Sequence, residues 1–252
     1  MINRNTSMSK YAVITTIIGI TIGIPTLTFA QNAPRKPRIE DTIKANVYAD
    51  NSFKLYINGE LVAVDSIKFV PHNVVSVDVL PAYPMTIAVM GIDNADPKTG
   101  MEYANTNIGD GGFILKLGDG TVTNANWKAK KLSWGPVDNN TQHPRVLSIP
   151  APKDWHTAGF DDSQWANAKE FTEEQVGPKT PFFEHDFKGA KFIWSDNIKL
   201  DNIVLFRTVV KSPPDGKERP DFRGLTDVVP QGGGQREGKR RSGQKGRNNK
   251  GK

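Results

Sequence analysis

Phe53-Lys54-Leu55-Tyr56-Ile57-Asn58-Gly59-Glu60-Leu61-Val62-Ala63-Val64 is the stretch on which the fold turns. Phe53 to Ile57 alternates apolar and polar residues, the period of two that puts one face of a strand on a core. Glu60 to Val64 is a second β-branched, apolar phrase. Asn-Gly lies directly between them. A type I′ turn needs positive φ at both central residues, so Asn-Gly between two strand patterns is the strongest short-range signal of a hairpin.

The same grammar extends in both directions. Ile43–Tyr48 precedes the hairpin, and Val74–Leu80, Met85–Ile92, Gly112–Leu117, Thr121–Thr123, Lys131–Trp134, Phe192–Trp194 and Ile203–Val210 follow it. Asp119-Gly120 marks another tight turn. Short strands punctuated at this spacing predict an all-β fold, a β-sandwich over residues 43–210. Helical signals are few: one short turn within Asp161–Ala168, capped by Asp162 or Ser163, and another at Thr172–Gln175.

The ends of the chain read differently. Arg4 and Lys10 precede an uncharged run, Tyr11–Phe29, and Thr28-Phe29-Ala30 offers small residues before Gln31. That is the pattern of an export signal over residues 1–30, followed by a polar leader over 31–42. No later stretch is long and apolar enough to span a membrane, so the expected location is secreted or periplasmic. Residues 31–210 carry 19 Lys+Arg and 22 Asp+Glu, whereas 231–252 carry eight basic residues and Glu237 alone. The overall excess of positive charge therefore belongs to the tail. Residues 211–252 read as a linker and a disordered basic tail; from Gln231 onward no aliphatic or aromatic side chain is present to offset ordering entropy. The charge of 231–252 suits anionic polymers through counterion release, and that stretch has no aromatic residues for sequence-specific nucleic-acid recognition.

The absence of cysteine excludes disulfides, thiolate metal sites and cysteine nucleophiles. HExxH, a phosphate loop, GxGxxG and GxSxG are also missing. His72, His143, His156 and His185 are scattered, with no catalytic constellation in sequence. Asp161 and Asp162 are adjacent and point apart, so they read as turn residues, not as carboxylates facing across a glycosidic bond. Asp93-Asn94-Ala95-Asp96-Pro97-Lys98-Thr99-Gly100 is rich in oxygen but lacks the ligand alternation and terminal Glu of a calcium loop. A solvated turn is the expectation there, and no cofactor or metal is assigned. An aromatic ring can pack against the apolar face of a sugar. The candidates for such a contact are Trp134, in Leu132-Ser133-Trp134-Gly135-Pro136, with Tyr83 and Tyr103.

Several phrases, in order, resemble the galactose-binding-like jelly-roll domains that secreted glycosidases of rhamnosidase type carry as accessory modules. They are Ala49-Asp50-Asn51 leading to Tyr56-Ile57-Asn58-Gly59, then Gly112-Phe113 to Leu117 with Asp119-Gly120 and Thr123-Asn124-Ala125-Asn126-Trp127-Lys128. Gly159-Phe160-Asp161-Asp162-Ser163-Gln164-Trp165 follows, with Trp155 upstream, and then Ile193-Trp194 and Phe206-Arg207. The resemblance covers about residues 45–210. It implies a jelly-roll β-sandwich in which Trp127, Trp155, Asp161, Asp162, Trp165 and Trp194 are structural. Asn124 stands where the pattern has Asp, which removes a charge and puts a turn contact in question. The chain has no room for the catalytic barrel these modules accompany, so no enzyme activity carries over.

The function expected is a non-catalytic extracellular module binding carbohydrate or another surface ligand. The alternatives are a matrix protein attaching through its basic tail and a hydrolase whose site would show as converging carboxylates or histidines. N-terminal sequencing of the exported protein is expected to begin at or near Gln31; a start at Met1 would refute the export signal.

Overall fold

The computed structural model describes residues 35–65 and 74–223. The expected export signal over 1–30, His72 and the expected basic tail over 231–252 lie outside them. The strands are β1 (Ile43–Asp50), β2 (Ser52–Ile57), β3 (Glu60–Val64), β4 (Val74–Val79), β5 (Met85–Ile92), β6 (Met101–Glu102) and β7 (Asn107–Ile108). They continue as β8 (Gly112–Leu117), β9 (Lys128–Trp134), β10 (Leu147–Ser148), β11 (Ala166–Asn167) and β12 (Lys169–Phe171). After short helices α1 (Glu173–Val176) and α2 (Thr180–Phe183) come β13 (Phe192–Trp194) and β14 (Asp201–Val210).

Two antiparallel sheets form a sandwich. One runs β12-β13-β8-β1-β4, and the other runs β10-β9-β14-β5-β2-β3, with β11 also paired to β9. The β2–β3 hairpin forms as expected, with Asn58 at φ 50° and Gly59 at φ 92°. The Asn58 side chain does more than permit the turn. It accepts from the Thr86 amide and donates to the Ala82 carbonyl, which ties the hairpin to the start of β5.

The core between the sheets takes Ala45, Val47 and Ala49 from β1, Phe113 and Leu115 from β8, and Leu55, Ile87, Val89, Val204 and Phe206 from the facing sheet. Phe113 and Phe206 stack across it with ring centroids 5.3 Å apart. Trp127 lies at its margin, its indole N–H donating to the Val122 carbonyl. Trp194 is fully enclosed and donates to the Asp201 carbonyl. Its ring rests on Gly91 and Gly111, where a Cβ would come within 2.8 and 2.5 Å of ring atoms.

Both outer faces are covered as well. Val176, Phe182 and Phe187 pack on Tyr48, Ile114 and Phe192 of the first sheet. Trp155 and Trp165 pack on Ala88, Leu132 and Leu205 of the second. Arg207 fastens this second cover. On β14 it shares the outward row with Ile203 and Leu205, and its side chain is 1 % exposed. Its guanidinium donates to Asp162 Oδ2 at 2.8 Å, to the Trp155 carbonyl, and to the Thr157 carbonyl at 3.1 Å.

Three local expectations change. No helical turn forms at Asp161–Ala168, because Asp162 is engaged by Arg207 and Ala166–Asn167 is extended along β9. Asp161 keeps a turn role, accepting from the Ser163 amide. Thr121–Thr123 contributes one isolated bridge, Lys116 to Val122, and no strand. The described chain also continues past the expected end of the body at 210. In this extension Phe222 is buried and Arg223 donates to the Tyr83 carbonyl. The helical turn at Thr172–Gln175 does form, with a reciprocal cap between Thr172 and Gln175. Asn124 retains the turn contact of an Asp, its Oδ1 accepting from the Asn126 amide.

Removing one partner of a buried charge pair costs about 3–5 kcal/mol, and emptying a buried tryptophan site costs about the same. Arg207→Met and Trp165→Ala are each expected to lower unfolding free energy on that scale in urea titrations. Unchanged midpoints would mean that the cover over the second sheet is not needed for stability.

Candidate functional site

The strands bring four carboxyl groups to one end of the sandwich. Asp50 ends β1, Asp93 follows β5, Glu102 lies in β6, and Asp110 leads into β8. Backbone pairing draws the supports together: the Asn51 amide donates to the Ile92 carbonyl, and the Asp93 amide donates to the Asn202 carbonyl. Asp50, Asp93 and Glu102 are buried, and Asp110 is at the exposed rim. Asp93 is 4 % exposed, and neither of its carboxyl oxygens has a hydrogen-bond donor.

Burial and mutual repulsion raise three of these groups, Asp50, Asp93 and Asp110. Burial and then the charges of Asp110 and Glu102 push the Asp50 carboxyl up to about 8, with Lys179 opposing. Burial, the Glu102 contact and the surrounding negative charge raise Asp93 well above the usual carboxylate range. Burial and Glu102 also raise Asp110, opposed by Lys179 and Lys199.

Beside this cluster the β6–β7 hairpin projects Tyr103. Tyr103, Ala104 and Asn105 all have left-handed backbones, at φ 47°, 58° and 68°. Such a run of non-glycine residues is unfavourable by about 1 kcal/mol or more at each position. Cross-bonds hold it: the Thr106 amide donates to the Glu102 carbonyl at 3.0 Å, and the Thr99 hydroxyl donates to Asn105. The Tyr103 ring is 66 % exposed at the rim of a shallow cavity of about 350 Å³, whose wall includes Asn94, Asp96, Glu102 and Asn105. Gly100, at φ 69°, lets this segment lie against Gly135, where a Cβ would stand 2.4 Å from backbone.

Trp134 is at the same end, half-buried where β9 faces Asp201, with the Lys131 ammonium 5.4 Å from its ring centre. Tyr83 is not. It precedes β5 while Asp93 follows it, so an eight-residue strand, about 26 Å at the usual rise, separates the two. Its hydroxyl donates to Asp119, its ring packs on the core, and burial followed by the Asp119 bond raises its pKa. The expected trio of Trp134, Tyr83 and Tyr103 thus divides into two rim residues and one structural residue.

The loop from Asp93 to Gly100 does not present its oxygens as a set. Asp93 turns into the cluster, and Asp96 Oδ1 accepts from the amides of Lys98 and Thr99. Among the described residues no three His, Asp or Glu side chains group as metal ligands, and no helix is long and apolar enough to cross a membrane. His143 and His185 are exposed, and His156 lies against the Tyr56 ring, away from the carboxylates. Sequence reading missed the cluster, since its members are spread from residue 50 to 110. The available signal was position: Asp50 lies two residues past the strand read at 43–48, Asp93 directly follows that at 85–92, and Asp110 stands two residues before that at 112–117.

The two tyrosines are expected to behave oppositely under substitution. Tyr83→Phe removes a donor from fully buried Asp119 and is expected to cost about 1–3 kcal/mol in thermal or urea denaturation. Tyr103→Ala is expected to stay within about 0.5 kcal/mol, as exposed positions do; a larger loss would show that Tyr103 supports the fold. No known protein family matches this chain, nor does any curated protein or solved structure.

Proposed function

We propose that this protein is a non-catalytic, secreted or periplasmic module of galactose-binding-like jelly-roll type that binds carbohydrate at the Tyr103 end of its sandwich. The observation that carries this reading is the Tyr103 ring, held outward on a strained turn beside a cavity walled by oxygen-bearing side chains. A flat apolar ring next to fixed carboxylate and amide groups provides what a sugar needs: a surface for its C–H face and partners for its hydroxyls. Half-buried Trp134 supplies a second aromatic edge at this end.

The carboxylates favour binding over hydrolysis. Glycoside hydrolysis calls for two carboxyl groups facing each other across the scissile bond, about 5–10 Å apart. Asp93 is sealed from the cavity, and Asp96 at its wall is engaged by backbone amides. Glu102 at the same wall is buried and turned against Asp93, so no two carboxyls there are free to flank a glycosidic bond. The basic segment 231–252 provides the competing reading, attachment of a matrix protein to anionic polymers.

A glycan array probed with the full chain separates these readings. Sugar-specific binding is expected, with Tyr103→Ala lowering affinity about tenfold and Trp134→Ala lowering it less. Binding that ignores Tyr103 and collapses between about 50 and 200 mM salt would replace the carbohydrate reading with attachment through the tail.

A further inference from the structure

We propose that Asp93 and Glu102 form a proton-held latch that fastens the β6–β7 hairpin, and Tyr103 with it, to the end of the sandwich. The hairpin is a two-stranded sheet of its own, hydrogen-bonded to neither large sheet. Its hold on the body is local. Met101 and Glu102 are buried, the Asp96 amide donates to the Met101 carbonyl at 2.8 Å, and Gly100 rests on Gly135. Glu102 is the buried charged group of the hairpin, and the group it meets is Asp93.

That meeting is repulsive or attractive according to one proton. As an ionised pair, Asp93 and Glu102 are two acceptors, and Asp93 has no donor on either oxygen. Asn202 Oδ1, on the strand directly opposite, is also buried without a partner. A proton on Asp93 turns it into a donor to Glu102, and the contact then holds. The other charges at this end come from Asp50 on β1, Asp110 before β8, Lys179 at the start of α2 and Lys199 before β14. The charges acting on Asp93 are all negative, and the two lysines act on Asp50 and Asp110.

The direction of the pH effect follows from linkage. With the hairpin open, Asp93 meets water and loses the Glu102 contact, so its carboxyl falls back toward the ordinary range near 4. With it closed, burial and the Glu102 contact raise Asp93 well above its ordinary value. Between those limits the closed form binds more protons. Rising pH therefore favours opening by about tenfold per unit for each proton held, and the effect levels off once the closed form has also lost them. That the latch also governs ligand access rests on the carbohydrate reading; the latch itself needs no ligand.

Hydrogen exchange on the full chain tests it, from pH 5.5 to 9 with a chelator present, corrected for intrinsic exchange and referenced to β5. Peptides covering 94–108 are expected to lose at least about tenfold in protection between pH 6 and 8.5, while β5 does not change. Asp93→Asn and Glu102→Gln are each expected to flatten that dependence; if one fails to fold, the other decides. Protection of 94–108 that ignores pH, or variants with the wild-type profile, would overturn the latch. Loss of sugar binding with the exchange profile intact would overturn only the reading of the ligand.

Discussion

A guanidinium buried on the face of a sheet cannot be left without acceptors, and at Arg207 this requirement organises the chain far from its own strand. The acceptors are Asp162 Oδ2 and the carbonyls of Trp155 and Thr157. To supply them, the segment from 155 to 162 has to cross the outer face of β14. The crossing lays Trp155 and Trp165 over Ala88 and Leu205. It also delivers Ala166–Asn167 to β9 as an extra strand. A charged group thus positions an apolar cover, and the desolvation of that charge is tolerable because the cover brings carbonyls with it.

Coverage of both outer faces explains why much of the chain departs from simple alternation. In β5 the first five residues, Met85 to Val89, are all buried, as expected of a strand packed on both sides. The outer edges are different. β3, which ends its sheet, has no buried residue, and Leu61 and Val64 stand exposed although the sequence reads as a strand with one inward face.

Local backbone chemistry was readable where a short stretch carries its own instructions. Asn58-Gly59 determines a turn, and Thr172 with Gln175 caps a helical turn. The strands β1, β2, β3, β5, β8 and β13 start or end within a residue or two of where their patterns do. Reading failed where the deciding partner is distant in sequence. Asp162 looks like a cap until Arg207, forty-five residues later, takes its carboxylate. Tyr83 looks like an exposed loop aromatic until Asp119 accepts its hydroxyl proton. The carboxylate cluster is the extreme case, since its four members share no local pattern and meet only because strand order places their ends together. Tyr103 was singled out for its residue type alone; its left-handed neighbours Ala104 and Asn105 are what present it, and while Asn tolerates that backbone, nothing in Ala104 announces it.

Arg223, clipped to the Tyr83 carbonyl, fixes where the described chain ends. That point is at the start of β5, and the Tyr103 hairpin follows its end, so the two lie at opposite poles of the same strand. The body is therefore a vectorial object. A force applied at Arg223 would enter the body at the pole opposite Tyr103, with the length of β5 between the two.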